Sequence, residues 1–204
     1  MKLVTLMPLV DSKKCIGCRT CEKVCPVVAI SMQDKRAVVD LERCRGCANC
    51  EQRCPENAIV MEKREVPVVA KADFEGLDYE EIAALCRRAK FNAEQIVCYC
   101  TGTRADEVVA AIMRGARTPE DISYMTGIRT GCKVECIQPI LRLLEAAGIE
   151  PQPVPGGWQW YGRTITAWEI PQEVKEKYAS RGFYFAEDVE ILNRVVNAPL
   201  QGKE

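Results

Sequence analysis

Cys15-Ile16-Gly17-Cys18-Arg19-Thr20-Cys21-Glu22-Lys23-Val24-Cys25-Pro26 returns 29 residues later as Cys44-Arg45-Gly46-Cys47-Ala48-Asn49-Cys50-Glu51-Gln52-Arg53-Cys54-Pro55. The echo runs on into Ala29-Ile30 and Ala58-Ile59. Two copies of one unit side by side set the fold of the first 65 residues. Ile30–Met32 and Ala37–Asp40, on either side of Gln33-Asp34-Lys35-Arg36, read as a strand pair. Lys2–Leu6 and Ile59–Glu62 read as a second pair joining the two ends. Between the cysteines only short helical turns fit.

The spacing C-x2-C-x2-C lets one loop offer thiolates to three corners of a four-iron cube. The cysteine that follows cannot fold back to the fourth corner, so it serves the neighbouring cube. On that reading Cys15, Cys18, Cys21 and Cys54 hold one 4Fe–4S cluster, and Cys44, Cys47, Cys50 and Cys25 hold the other. Pro26 and Pro55 turn the chain after the exchanged ligand and remove a donor there. Gly17 and Gly46 are expected to let the loop backbone approach the inorganic sulfide. Zinc sites favour two C-x2-C pairs across a longer loop, and a redox thiol pair needs only one. The repeat resembles bacterial two-cluster ferredoxins over about Lys2 to Glu62.

The chain has 204 residues, 13 cysteines and no histidine, with 28 basic against 29 acidic residues. An odd thiol count without an export signal argues against a disulfide framework. The lack of histidine excludes Rieske ligation and histidine-borne proton transfer. Balanced charge gives no support for nucleic-acid binding. The apolar run Leu3–Val10 is broken by Pro8 and closed by Asp11, so it does not read as a signal peptide. No stretch reaches the roughly 20 apolar residues of a membrane span. A soluble, cytoplasmic protein is expected. Lys13, Lys14, Arg19, Lys23, Arg43, Arg45 and Arg53 crowd the cysteine loops, either as a solvated surface or as charges that raise cluster potentials or dock an acidic partner.

A third thiol set follows: Cys98-Tyr99-Cys100 and, after 31 residues, Cys132-Lys133-Val134-Glu135-Cys136. Helices are expected around it. Asp78 caps one through about Ala89, and Thr103 with Asp106 caps a second, ended by Gly115. Thr118-Pro119-Glu120-Asp121 opens a third, closed by Gly127, and a fourth runs from about Val134 to Ala147. Four thiols at helix starts suit an anionic 2Fe–2S rhomb. From Val97 to Ala147 the chain resembles the bacterioferritin-associated-ferredoxin domain, on Cys98-Tyr99-Cys100, Ala111-Ile112, Gly115-Ala116, Thr118–Ile122, Thr126-Gly127 and Thr130-Gly131-Cys132. The resemblance implies one 2Fe–2S cluster on Cys98, Cys100, Cys132 and Cys136 in a small helical fold. Relatives usually have two residues between the last two cysteines and this chain has three, which leaves zinc as the alternative. Cys86, beside Ile82 and Leu85 on one helical face, reads as a buried apolar residue.

Pro151–Gly157 reads as a linker, Trp158–Ile170 as strands, and Gln172–Ala179 and Ala186–Val196 as helices. All three tryptophans lie in this tail. With Phe183, Tyr184 and Phe185 they could anchor a partner or wrap the chain's own domains. The expected class is α+β. A ferredoxin-like two-cluster domain spans 1–65, a connector with one helix 66–95, a small all-α helix-turn-helix 2Fe–2S domain 96–150 and an aromatic-rich extension 151–204. No Gly-rich phosphate loop and no nucleophile–base pair is present. The chain therefore reads as a non-catalytic electron-transfer subunit of an oxidoreductase, and the second domain resembles modules fused to flavin-dependent dehydrogenases. That resemblance implies a hetero-oligomer with an FAD-dependent partner and a soluble carrier. A cluster-assembly or iron-mobilising protein is the alternative, and a redox-sensing interaction module is a further one.

Overall fold

A computed structural model describes residues 2–132, 135–152 and 162–201. Strand β1 (Lys2–Val10) pairs antiparallel with β4 (Ile59–Ala70). Between them in the chain lie α1 (Thr20–Val24), β2 (Ile30–Gln33), β3 (Arg36–Val39) and α2 (Asn49–Gln52). The β2–β3 hairpin forms where the alternation placed it, with Asp34 and Lys35 both at positive φ in a two-residue turn.

The outer pair differs in register from expectation. Ile59–Glu62 lies opposite Met7–Val10, while Lys2–Val4 lies opposite Val68–Ala70. The apolar run continues through Pro8, which a two-stranded sheet tolerates because every strand has a free edge. Val66–Val69 therefore extends β4 past residue 65 instead of starting an irregular connector. Arg64 fixes the irregularity opposite Thr5 by donating from Nη2 to the Leu41 carbonyl at 2.7 Å.

The repeat is also a repeat of backbone. Cys15 N–H and Cys44 N–H donate to the carbonyls of Asp11 and Asp40, each at 3.0 Å. Arg19 and Ala48 start α1 and α2 in left-handed geometry, and Val28 and Asn57 share a positive φ of 51° and 48°. Gly17 and Gly46 are left-handed too, and each also meets the backbone of another segment. A Cβ on Gly17 would sit 2.5 Å from the Lys35 carbonyl oxygen, and one on Gly46 2.7 Å from that of Leu6. These glycines let the cysteine loops pack against the sheets.

The second half begins with α3 (Tyr79–Arg88), capped by the Asp78 carboxylate, which accepts from Glu80 N–H at 2.9 Å. Strands β5 (Ile96–Cys98) and β6 (Thr103–Arg104) follow, then α4 (Ala105–Met113), α5 (Pro119–Thr126) and α6 (Ile137–Ala146). This half is not all-α, because β5 and β6 form a small ribbon that returns the chain after Cys100. Thr103 is consequently a strand residue and not a cap. The Arg104 N–H donates to the Glu107 carboxylate at 2.9 Å, one residue later than expected. Thr118 and Asp121 cap α5 reciprocally at 3.1 Å. Helices α3, α4, α5 and α6 share one core of Ile82, Val108, Val109, Ile122, Ile140, Leu143 and Leu144, with Cys86 fully buried in it.

In the tail α7 (Gln172–Ala179) and α8 (Phe185–Val196) form as read. Gly162–Ile170 holds a 3-10 turn at Ala167–Glu169 and no strand, and Trp158 and Trp160 lie outside the described residues. The tail returns to the second half: Asn92 donates to the Ala198 carbonyl at 2.9 Å, and Arg163 pairs with Glu145 at 2.8 Å. Phe183 and Tyr184 stay exposed.

A β-branched residue in left-handed geometry costs about 1 kcal/mol or more. Val28 bears that cost where its repeat mate is Asn57. Val28→Asn is expected to raise the stability of the iron-loaded chain by about 1 kcal/mol in thermal unfolding, with its iron content unchanged.

Candidate metal centres

Two small hollows, each of about 20 Å³, lie inside the first half. Cys15, Cys18, Cys21 and Cys54 line one, and Cys25, Cys44, Cys47 and Cys50 line the other. Each cavity thus takes three thiols from its own loop and one from the other copy of the repeat. The exchanged sulfurs are held alike. Ala29 N–H donates to Cys25 Sγ and Ala58 N–H to Cys54 Sγ, both at 3.2 Å. Gly46 N–H faces Cys44 Sγ at 3.4 Å, and the Asn49 amide donates to Cys47 Sγ at 3.0 Å. The Thr20 hydroxyl lies 3.4 Å from Cys18 Sγ and lowers that thiol's pKa.

Burial works the other way on the inner sulfurs. It pushes the Cys21 thiol up to about 11 and the Cys50 thiol up to about 12, and it raises Cys25 as well. Such thiols become thiolates only against a positive charge that binds them directly, which ferric and ferrous ions supply. Among the described residues, no three His, Cys, Asp or Glu side chains converge as a single metal ion requires. Four thiols line each hollow, one for each iron of a cube.

The third set stands as two pairs. Cys98 and Cys136 are buried and hydrogen-bonded to each other; Cys100 and Cys132 are exposed and likewise paired. Cys132 N–H also faces Cys100 Sγ at 3.5 Å. The Cys136 contact, with help from the Thr101 hydroxyl and the N–H groups of Thr101 and Arg129, holds the Cys98 thiol down to about 5. Cys136 moves upward, first through its contact with Cys98 and then through burial. Gly131 allows the two arms to meet, since a Cβ there would lie 2.4 Å from the Cys100 Cβ. Two pairs of sulfurs match a rhomb, whose two irons take two thiolates each. The three residues between Cys132 and Cys136 do not keep Cys136 out: it sits at the start of α6 against Cys98. Cys86 lies in the helical core, and burial pushes its thiol up to about 12.

Residues 7–68 match the family model of the 4Fe–4S dicluster domain, and residues 96–146 match that of the BFD-like [2Fe–2S] binding domain. The chain carries a 4Fe–4S dicluster domain followed by a BFD-like 2Fe–2S domain. Two 4Fe–4S clusters and one 2Fe–2S cluster are the cofactors of such domains, and the residues present fit them. No curated protein and no solved structure matches the chain. The matches stop short of the tail, and nothing in them extends to a flavin dehydrogenase.

The dicluster and BFD-like domains meet along a polar seam. Arg45 is buried and stacks on Tyr124 of α5, 4.1 Å from the ring centroid, while its Nε donates to the Tyr124 carbonyl at 2.7 Å. Arg43 lies 5.0 Å from the same ring and 3.7 Å from the Asp121 carboxylate. Lys2 Nζ donates to the Thr130 hydroxyl at 2.7 Å, near enough to Cys44 and Cys47 to feel their charge. Two of the basic residues of the cysteine loops thus serve the chain's own second domain and not the solvent. Sequence reasoning gave no role to Lys2, Tyr124 and Arg129, and it marked Thr130 only within the resemblance.

Gly131→Ala is expected to force the Cys100 arm aside. Iron should fall from about ten to about eight per chain, with both 4Fe–4S signals retained in electron paramagnetic resonance.

Proposed function

We propose that the protein is an electron relay with three sites in series. Cys98, Cys100, Cys132 and Cys136 would hold the 2Fe–2S cluster at one end. Cys25, Cys44, Cys47 and Cys50 would hold the middle 4Fe–4S cluster, and Cys15, Cys18, Cys21 and Cys54 the other at the far end. The observation that carries this order is the seam. Lys2 and Arg45 join the Cys44–Cys50 loop to Thr130 and Tyr124, whereas the cavity of Cys15, Cys18, Cys21 and Cys54 lies away from those contacts.

Exposure runs the same way. Cys100 and Cys132 are exposed at one end and Cys18 at the other, while Cys25, Cys44 and Cys50 of the middle set are buried. A chain that meets one partner at each end needs accessible terminal ligands and a protected centre. Bound in these sites, the clusters would take up and release one electron at a time with little change in ligand geometry. The residues supply the rest: donors to sulfur, low-dielectric walls and a fixed spacing across the seam.

The partner at the 2Fe–2S end is a flavoprotein dehydrogenase, whose two-electron chemistry requires one-electron exits, and a soluble carrier meets the far end. Exposed Phe183 and Tyr184, on a tail tied to the BFD-like domain, support a docked subunit on that side. Among the described residues no helix is long and apolar enough to cross a membrane.

Two experiments test the reading. Cys25→Ser is expected to alter the same 4Fe–4S resonance as Cys47→Ser, and Cys54→Ser the same one as Cys18→Ser. If Cys25→Ser instead altered the Cys18 signal, the exchange would be wrong. Affinity purification of the full chain from its own cells should bring a stoichiometric flavoprotein. Adding that enzyme's substrate should then bleach all three centres within the turnover time. Centres that stay oxidised during turnover would remove the relay.

A further inference from the structure

Beneath the third thiol set lies a charge that ligation does not use. Arg129 is 1 % exposed and has a φ of +65°, left-handed geometry that is uncommon for residues other than glycine. Its guanidinium lies 3.4 Å from the Glu120 carboxylate and 3.5 Å from the Ser123 hydroxyl, and Glu120 is itself buried. The same residue turns its backbone N–H towards the sulfurs of Cys98 and Cys136, and its positive charge favours the Cys136 thiolate. A fully buried ion pair is costly to desolvate, and an apolar pair of similar volume would fill the space as well. Packing alone therefore gives no reason for a cation at this point.

A buried charge acts strongly on what surrounds it, because little solvent screens it. A 2Fe–2S core with four thiolates gains a negative charge on reduction, so a nearby fixed cation favours the reduced form. We propose that Arg129 is a positioning and tuning residue of the third site, whose buried charge raises the reduction potential of the 2Fe–2S cluster, with Glu120 as the counterweight that limits the rise. The proposal rests on the assignment of Cys98, Cys100, Cys132 and Cys136 as the ligands of that cluster. The backbone half of the device orients sulfur and survives any side-chain change. The side-chain half sets the potential.

The two halves separate by mutation. In the full iron-loaded chain, the potential of the 2Fe–2S resonance is read by electron paramagnetic resonance during a redox titration. Arg129→Gln should lower it by at least a tenfold change in the reduction equilibrium, about 59 mV for one electron. Glu120→Gln should raise it, and the double variant should return towards the parent. Arg129→Lys, which keeps the charge, should rescue most of the loss. Both single-variant shifts should persist at about 1 M salt, where a surface charge would be screened out. Single variants that hold the cluster at the parent potential would overturn the proposal, as would equal shifts in the Lys and Gln variants. If Arg129→Gln fails to fold, Glu120→Gln decides alone. A parent chain without any 2Fe–2S resonance would instead sink the ligand assignment on which the proposal stands.

Discussion

Each cavity of the dicluster domain borrows a sulfur from the other half of the repeat, and that crossing governs the domain. Three thiols two residues apart can line one side of a hollow, but the fourth must come from beyond a turn. Cys25 and Cys54 supply it, each followed by proline and each held by the N–H of an alanine four residues on. The buried alanines at 29 and 58 and isoleucines at 30 and 59 follow from the same requirement, since only small or regular side chains fit where a chain crosses between two hollows. Neither half can complete its site without the other, which makes the domain one cooperative unit.

This construction leaves little room for ordinary burial. Four of the nine residues in the dicluster core are cysteines, accompanied by Val27, Ala29, Ile30, Ala37 and Ile59. Burial alone raises the pKa of the inner thiols, so in the absence of iron they resist the charged state that ligation needs. Metal binding and folding are therefore linked in this half. The BFD-like half is different in kind: α3 through α6 bury a continuous set of isoleucine, leucine and valine side chains, and its thiols sit at the margin of that core. The first core is thus rich in thiols and the second in aliphatic side chains. The helix that sequence reading assigned to a connector belongs to the second of these cores.

What was legible in the sequence is what depends on near neighbours. The 29-residue echo gave the thiol sets, the turn chemistry of Asp34-Lys35 gave the hairpin, and Asp78, Thr118, Pro119 and Gly127 marked helix ends within a residue or two. What was hidden depends on pairs far apart. Arg45 meets Tyr124 across 79 positions and Lys2 meets Thr130 across 128, and neither pair has a local pattern. Gly17 and Gly46 were flagged for an approach to sulfide, while their packing against the Lys35 and Leu6 carbonyls, which come from other segments, had no local signal. The outer strand pair was found but misregistered, since Pro8 and Pro67 looked like boundaries in strands that have room for them.

The seam also decides how charge is distributed along the chain. Arg45, among the loop residues read either as solvated surface or as tuning or docking charges, is desolvated, stacked and bonded to four carbonyls, those of Glu42, Arg43, Cys44 and Tyr124. A guanidinium so placed is a fixed cation between two thiol sites, and Lys2 is a second, its pKa lowered mainly by burial and partly restored by Cys47 and Cys44. Like-charged clusters brought together by folding repel one another, and the repulsion would grow with every electron taken up. Cations held at the junction would offset part of it. The basic residues of the cysteine loops are thus divided by position: Arg45 is buried and Arg43 half-buried against the BFD-like domain, whereas Lys13, Lys14, Arg19, Lys23 and Arg53 are exposed.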